Sequence, residues 1–476
     1  MGRWSRSGLA VVLAAVGCGD NIDDPFVGLV RVSGVSPFAP SCKGNQVGIN
    51  FAGMEVEPSV AVDPTNAAHL VGVWQQDRWS NGGANGIRTA VSYDAGATWA
   101  LTTPRFSRCG GGDADHGGGY GRASDPWVTF AADGTPFQVG LVFDGLMSDT
   151  PSERSAIVAS RSIDGGMTWT DPTVLRADAD PDVFNDKESI TGDPVDPGRV
   201  YAVWDRVTGQ LRPMQPIGTG AAWLARTTDG AWEAARPIYD PGLDAQTIGN
   251  VIAVLPDGAL VDVFDLITQA STSAPDYTLA VIRSTDKGLS WSDPIKIGPM
   301  RLLGVRDPEN SEAVRTGASL PEIAVDRSSG ALYIVWQHAQ TDTSTGIALV
   351  RSVDGGLSWS PPTFVNGVAG AAAFTPMVAV AGDGTVGVTY YDVRDARPGD
   401  MAFRVTAWLA TSHDGGATWS DEALSEPFDL RPASLGEAYF LGDYQGLVVS
   451  DGAFVPFFAA ATRGSDNTNV FVRAVR

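Results

Sequence analysis

The 476-residue sequence is short of cysteine, histidine and positive charge, and each shortage narrows what it can do. Its 3 cysteines and 4 histidines lie far apart and form no cluster with metal-ligand spacing. Only 33 Lys and Arg face 55 Asp and Glu, for a net charge of -22, and the basic residues are scattered. Such a surface repels polyanions, which excludes a nucleic-acid partner and a basic membrane-binding patch. No G-x-S-x-G elbow and no phosphate-cradling glycine loop occurs. The apolar run near the N-terminus, Leu9 to Val16, is too short to span a bilayer. Capped helical periods are missing too, because 56 Gly and 30 Pro break the chain at short intervals. These absences leave an all-β class.

That short apolar run has an address. Arg3 and Arg6 precede it and Gly17-Cys18 follows, the layout of a secretory signal. Ala15-Val16-Gly17-Cys18 resembles a bacterial lipobox, with Ala15 where Leu is usual. The expectation is an exported protein, lipidated at Cys18 on the cell surface or in the periplasm, or else cleaved nearby and secreted. Membrane contact is then through a lipid anchor alone. Cys42 and Cys109 remain, and in an exported chain they pair as one disulfide or stay as two free thiols. The chain divides into a signal over 1–18, an N-terminal segment over 19–53 and one large repeat domain over 54–476.

The repeat is S-x-D-x-G-x-T/S-W. It occurs at Ser92–Trp99, Ser162–Trp169, Ser284–Trp291, Ser352–Trp359 and Ser412–Trp419, with a shortened copy at Thr227–Trp232. The copies start about 57 to 70 residues apart. Asp and Gly supply a turn, the first Ser or Thr bonds it, and the Trp packs against neighbouring strands. Asp94, Asp164, Asp229, Asp286, Asp354 and Asp414 are therefore structural. The pattern resembles the Asp-box, or BNR repeat, of sialidases and related β-propellers, and that resemblance implies a propeller.

Blades can be counted from short β-branched runs. First strands begin at Pro58, Pro126, Glu188, Asn250, Glu322, Pro376 and Tyr444, which predicts seven blades. The last blade lacks a fourth strand, and Val27–Ser33 is spare, so the N-terminal strand is expected to complete it and close the ring. A six-bladed ring is the alternative, with the third unit absorbed by a neighbour.

Long loops collect on the face opposite the boxes, where binding sites of repeat rings usually lie. Onto that mouth fall Trp74, Asp77, Arg78, Trp204, Asp205, Arg206, Trp336, Tyr391, Asp392 and Arg394, together with Glu57, Asp125, Lys187, Glu188, Glu322 and Tyr444 at strand starts. Aromatic faces beside charged pairs suit sugar rings or polar peptides. Alternatively, the same residues are inter-blade ion pairs and packing aromatics. Asp113, Asp115 and His116 sit in a glycine-rich loop that matches no calcium-loop spacing, so no metal and no cofactor is expected.

Sialidases imply an arginine triad, an acid in the first blade and a Tyr/Glu nucleophile pair. Val56-Glu57-Pro58-Ser59 lacks the first arginine, and the loop Trp79–Gly86 carries Asn where the acid is expected. Tyr444 resembles the nucleophile in placing, with Glu437 and Asp443 beside it as catalytic candidates. The expectation is a monomer that binds a glycan or a surface protein at its mouth; the alternative is a glycoside hydrolase using mouth carboxylates.

Overall fold

The computed structural model describes residues 28–44, 46–144, 154–209, 218–269, 274–436, 438–462 and 467–476. The lipidation candidate Cys18 and the catalytic candidate Glu437 lie outside them. The described chain is nearly all-β, with two short 3-10 turns at Ala114–His116 and Arg431–Ala433 and no α-helix. Antiparallel meanders follow one another. In the first, Glu55–Asp63, Asn66–Arg78, Ala84–Ser92 and Ala100–Thr102 pair in order. The third region has the strands Val183–Gly192, Val200–Thr208, Thr219–Thr228 and Arg236–Tyr239, and a parallel pairing of Gly220 with Gln246 joins it to the fourth in one sheet. At the far end, Gly446–Ser450, Ala453–Ala461 and Thr468–Val472 are joined by Val30–Arg31, so the N-terminal strand adds to the last sheet.

Each meander has a leading strand: Glu55–Asp63, Arg122–Phe130, Val183–Gly192, Ala245–Val254, Glu322–Val325, Ala373–Val380 and Gly446–Ser450. Each lies against the next, and the last lies against the first. Apolar clusters fill the gaps between consecutive sheets. At the seam, Val60, Leu70 and Trp74 of the first meander pack with Val455, Phe457, Val470 and Val472 of the last.

The boxes staple the outer hairpins. In Ser162–Trp169, Asp164 accepts from Ser162 Oγ at 2.7 Å, Thr168 N at 2.8 Å and Thr168 Oγ1 at 2.6 Å, while Gly166 N donates to Ser162 Oγ at 2.8 Å. Asp94, Asp286, Asp354 and Asp414 make the same set. The shortened copy differs: Thr227 and Thr228 pair with Trp232 and Ala231 around a tight turn in which Asp229 and Gly230 both have positive φ. A disulfide joins Cys42 to Cys109 across 67 residues and ties the N-terminal segment to the long loop after the first meander. In that loop Asp113 caps the Ala114–His116 turn and bonds His116 Nδ1 at 2.7 Å.

Candidate functional site

Five leading strands start with the same irregularity. Their pairing register slips between Val56 and Ser59, Ser124 and Trp127, Asp186 and Ser189, Ile248 and Val251, and Phe374 and Met377. Inside each slip one residue has positive φ: Glu57, Asp125, Lys187, Gly249 and Thr375. A bulge takes its extra residue out of the in-and-out alternation of the strand. Holding a non-glycine residue there costs about 1–3 kcal/mol. Three of the five are charged, and they meet.

Lys187 Nζ is the hub, 2.9 Å from Asp125, 2.7 Å from Asp443 and 3.7 Å from Glu57. One oxygen from each of these carboxylates lies within 4.8 Å of the others. The chain's own ammonium thus sits among the three carboxyls. Gln75 donates to Glu57 and, at 3.0 Å, to Ser124 Oγ, and Arg78 Nη1 donates to Gln75 at 2.6 Å. From above, Arg315 grips both oxygens of Asp443, with Nε 2.9 Å from Oδ1. Its carrier is a small sheet of Val305–Arg306, Ala313–Arg315 and Ala438–Phe440 built from two long loops, where Arg315 stacks 4.8 Å over Phe440.

Two cavities open beside this hub. One, of about 300 Å³, is walled by Arg78, Gly83, Asp125, Phe143 and Phe184; the other, of about 470 Å³, by Ile248, Leu302, Leu303, Gly317 and Asp443. Asp186, Lys187 and Arg315 line both. The side chain of Arg315 is 44% exposed whereas that of Asp443 is 3% exposed, so the guanidinium is the group a ligand meets first.

Environment drives the carboxyls apart. Burial raises Asp443 and Asp125, but Arg315 and Lys187 outweigh it for Asp443, and Lys187 for Asp125, so both are held below the usual range. Glu57 is pushed up by burial and by Asp125. Asp186 is pushed up to about 6, chiefly by burial. Lys187 loses some basicity to burial, yet Asp125, Asp443 and Glu57 more than restore it.

Other expected mouth residues are corrected by the structure. Trp74 and Trp204 are fully buried, their indoles donating to Gln76 at 3.2 Å and Asn185 at 3.0 Å. Trp336 and Tyr391 are buried as well, bonded to His338 Nδ1 and Ala459 O. Asp77 is enclosed by bonds from Ser36, Gly53 and Asn85. Asp205 accepts from Thr247, Gly249 N and Asn250, tying the third meander to the fourth. Arg206 pairs with Asp178, and Asp392 with Arg394, which lies 3.6 Å over Trp408. All of these serve packing between strands rather than an open surface. Tyr444 is buried with its hydroxyl donating to Pro126 O at 3.1 Å; it lines neither of the two cavities but a smaller one, together with Glu188 and Glu322.

No family model matches the sequence, and no curated protein matches it. Among solved structures, a protein of unknown function from Dyadobacter fermentans is similar over 94% of this chain and 100% of its own, at 14% identity and TM-score 0.49. An alpha-L-arabinanase of Penicillium chrysogenum complexed with arabinobiose is similar over 94% and 98%, at 14% identity and TM-score 0.48. The NanB sialidase of Streptococcus pneumoniae, as its K499G mutant, is similar over 95% and 71%, at 12% identity and TM-score 0.46.

Proposed function

We propose that the chain is an exported, lipid-anchored, seven-bladed Asp-box β-propeller whose mouth hydrolyses a glycosidic bond. The ring reading is supported by the leading strands, each against the next with the last against the first, and by the pairing of Val30–Arg31 with Thr468–Val472. The Cys42–Cys109 bridge suits an oxidising compartment.

One observation carries the chemistry: four carboxyls, of Glu57, Asp125, Asp186 and Asp443, gather around Lys187 where two ligand-sized cavities meet. Asp186 lines both cavities, and its side chain accepts from the Lys187 backbone N–H at 3.1 Å. Asp125 and Asp443 are clamped by cations and stay ionised. Paired carboxyls in contrasting environments are the equipment of glycoside hydrolysis. In the proposed step Asp186 gives its proton to the leaving oxygen as the C–O bond breaks. Water adds to the sugar carbon, and Asp125 accepts the proton it releases. Arg315 holds a polar group of the sugar at the entrance.

A second reading, binding without turnover, is favoured by the same clamps, because Lys187 and Arg315 occupy the two ionised carboxylates. Incubation with a panel of plant, animal and bacterial oligosaccharides separates the two. New reducing ends support hydrolysis, retained intact ligand supports binding, and neither outcome on any glycan refutes both.

A further inference from the structure

Beneath the mouth lies a third cavity of about 20 Å³, enough for one water-sized centre. Its apolar wall includes Trp127, Leu320 and Tyr444; its polar wall is Lys187, Glu188, Ser189, Asn250 and Glu322. Glu188 is 1% exposed, and neither of its oxygens has a hydrogen-bond partner, only a weak pull from its own backbone N–H. The side-chain oxygen of Asn250 is likewise unpartnered, its amide nitrogen being spent on Asp205 at 2.6 Å. Glu322 is 4% exposed and lines the same cavity.

Acceptors therefore face this space with few donors to meet them. Lys187 is engaged by Asp125 and Asp443, the Ser189 hydroxyl donates to Asn250 O at 2.8 Å, and the Tyr444 hydroxyl donates to Pro126 O. A single water brings two hydrogens to at least three unpartnered oxygens. An oxygen-only set with two carboxylates matches a hard divalent cation in both softness and charge. We propose that this cavity binds one calcium-class divalent cation through Glu188, Glu322 and the side-chain oxygen of Asn250, pinning three consecutive leading strands or their approaches at the axis.

The test uses the full chain, stripped with chelator, dialysed and titrated with calcium chloride, and reads metal content and melting temperature rather than turnover. About one calcium retained per chain, with melting raised by several degrees, is expected. Glu188→Gln should lose both effects while melting no lower than the stripped parent, because an amide replaces an unpaired buried carboxyl. Glu322→Gln provides the same reading should Glu188→Gln fail to fold. No retained calcium with unchanged melting, or full retention in both variants, would overturn the proposal.

Discussion

At the scale of single residues, the hub is an ion cluster whose members are not interchangeable. Lys187→Met leaves Asp125 and Asp443 facing each other in a buried space without their shared cation, which should destabilise by roughly the 3–5 kcal/mol typical of breaking a buried pair. Chemical denaturation measures this, and a loss below about 1 kcal/mol would mean that Arg315 alone holds the site together. Of the hub's six charged groups four are legible in sequence: Glu57, Asp125 and Lys187 fall at the mouth, and Asp443 is a catalytic candidate beside Tyr444. Asp186 is not legible, because strand alternation puts it on the opposite side from its neighbour until a bulge resets the register. Arg315 carried no local signal; its strand pairs in parallel with Ala438–Phe440, more than a hundred residues away. Trp74 and Trp204 show the converse: the sequence places them at the mouth, and the structure buries both. A Trp at a strand end marks the mouth's height, but which way the pleat turns it decides between ligand and core.

At the scale of elements, the box was the most readable feature, since its bonds close within eight residues and need no distant partner. Trp169 is half-buried and bonds Thr102 Oγ1 at 3.2 Å, so Trp169→Ala should cost about 2 kcal/mol, less than the 3–5 of a fully buried aromatic. An unchanged melting temperature would remove the stapling role. The N-terminal strand was expected over Val27–Ser33, whereas the paired portion is Val30–Arg31. Its backbone partners, Val472 and Phe471, could not be read from sequence separation. Deleting residues through Ser33 uncovers the edge of Thr468–Val472, and an exposed edge recruits other chains. Size-exclusion chromatography should then show dimers and larger species; a monomer of undiminished stability would argue against a seam at this strand.

At the scale of the whole molecule, two sets of acids pull stability in opposite directions with pH. The box carboxyls Asp164, Asp286, Asp354 and Asp414 are lowered to about 2, mainly by bonds from their own Ser and Thr hydroxyls. Their contribution is present above the unfolded value near 3.8 and is lost as pH falls toward 2. Glu55 and Asp265 are instead raised to about 8 by burial. The folded state then holds more protons than the unfolded one from about pH 4 to 8, so stability declines as pH rises through that window. Self-repulsion from a net charge of -22 at neutral pH adds to the decline. Melting temperature followed from pH 3 to 9 should peak near pH 4–5, and a maximum at pH 8 would contradict the raised values of Glu55 and Asp265.

The most direct test of the whole account compares the parent chain with Asp186→Asn on the same oligosaccharide panel, scoring released reducing ends and bound glycan together. The account predicts that the parent cleaves one linkage class, and that the variant folds, still binds that glycan, and loses cleavage by about a hundredfold or more, as expected when a general acid is removed. Equal cleavage by both proteins would contradict it, and glycan bound by both with cleavage by neither would leave the mouth a binding site without turnover.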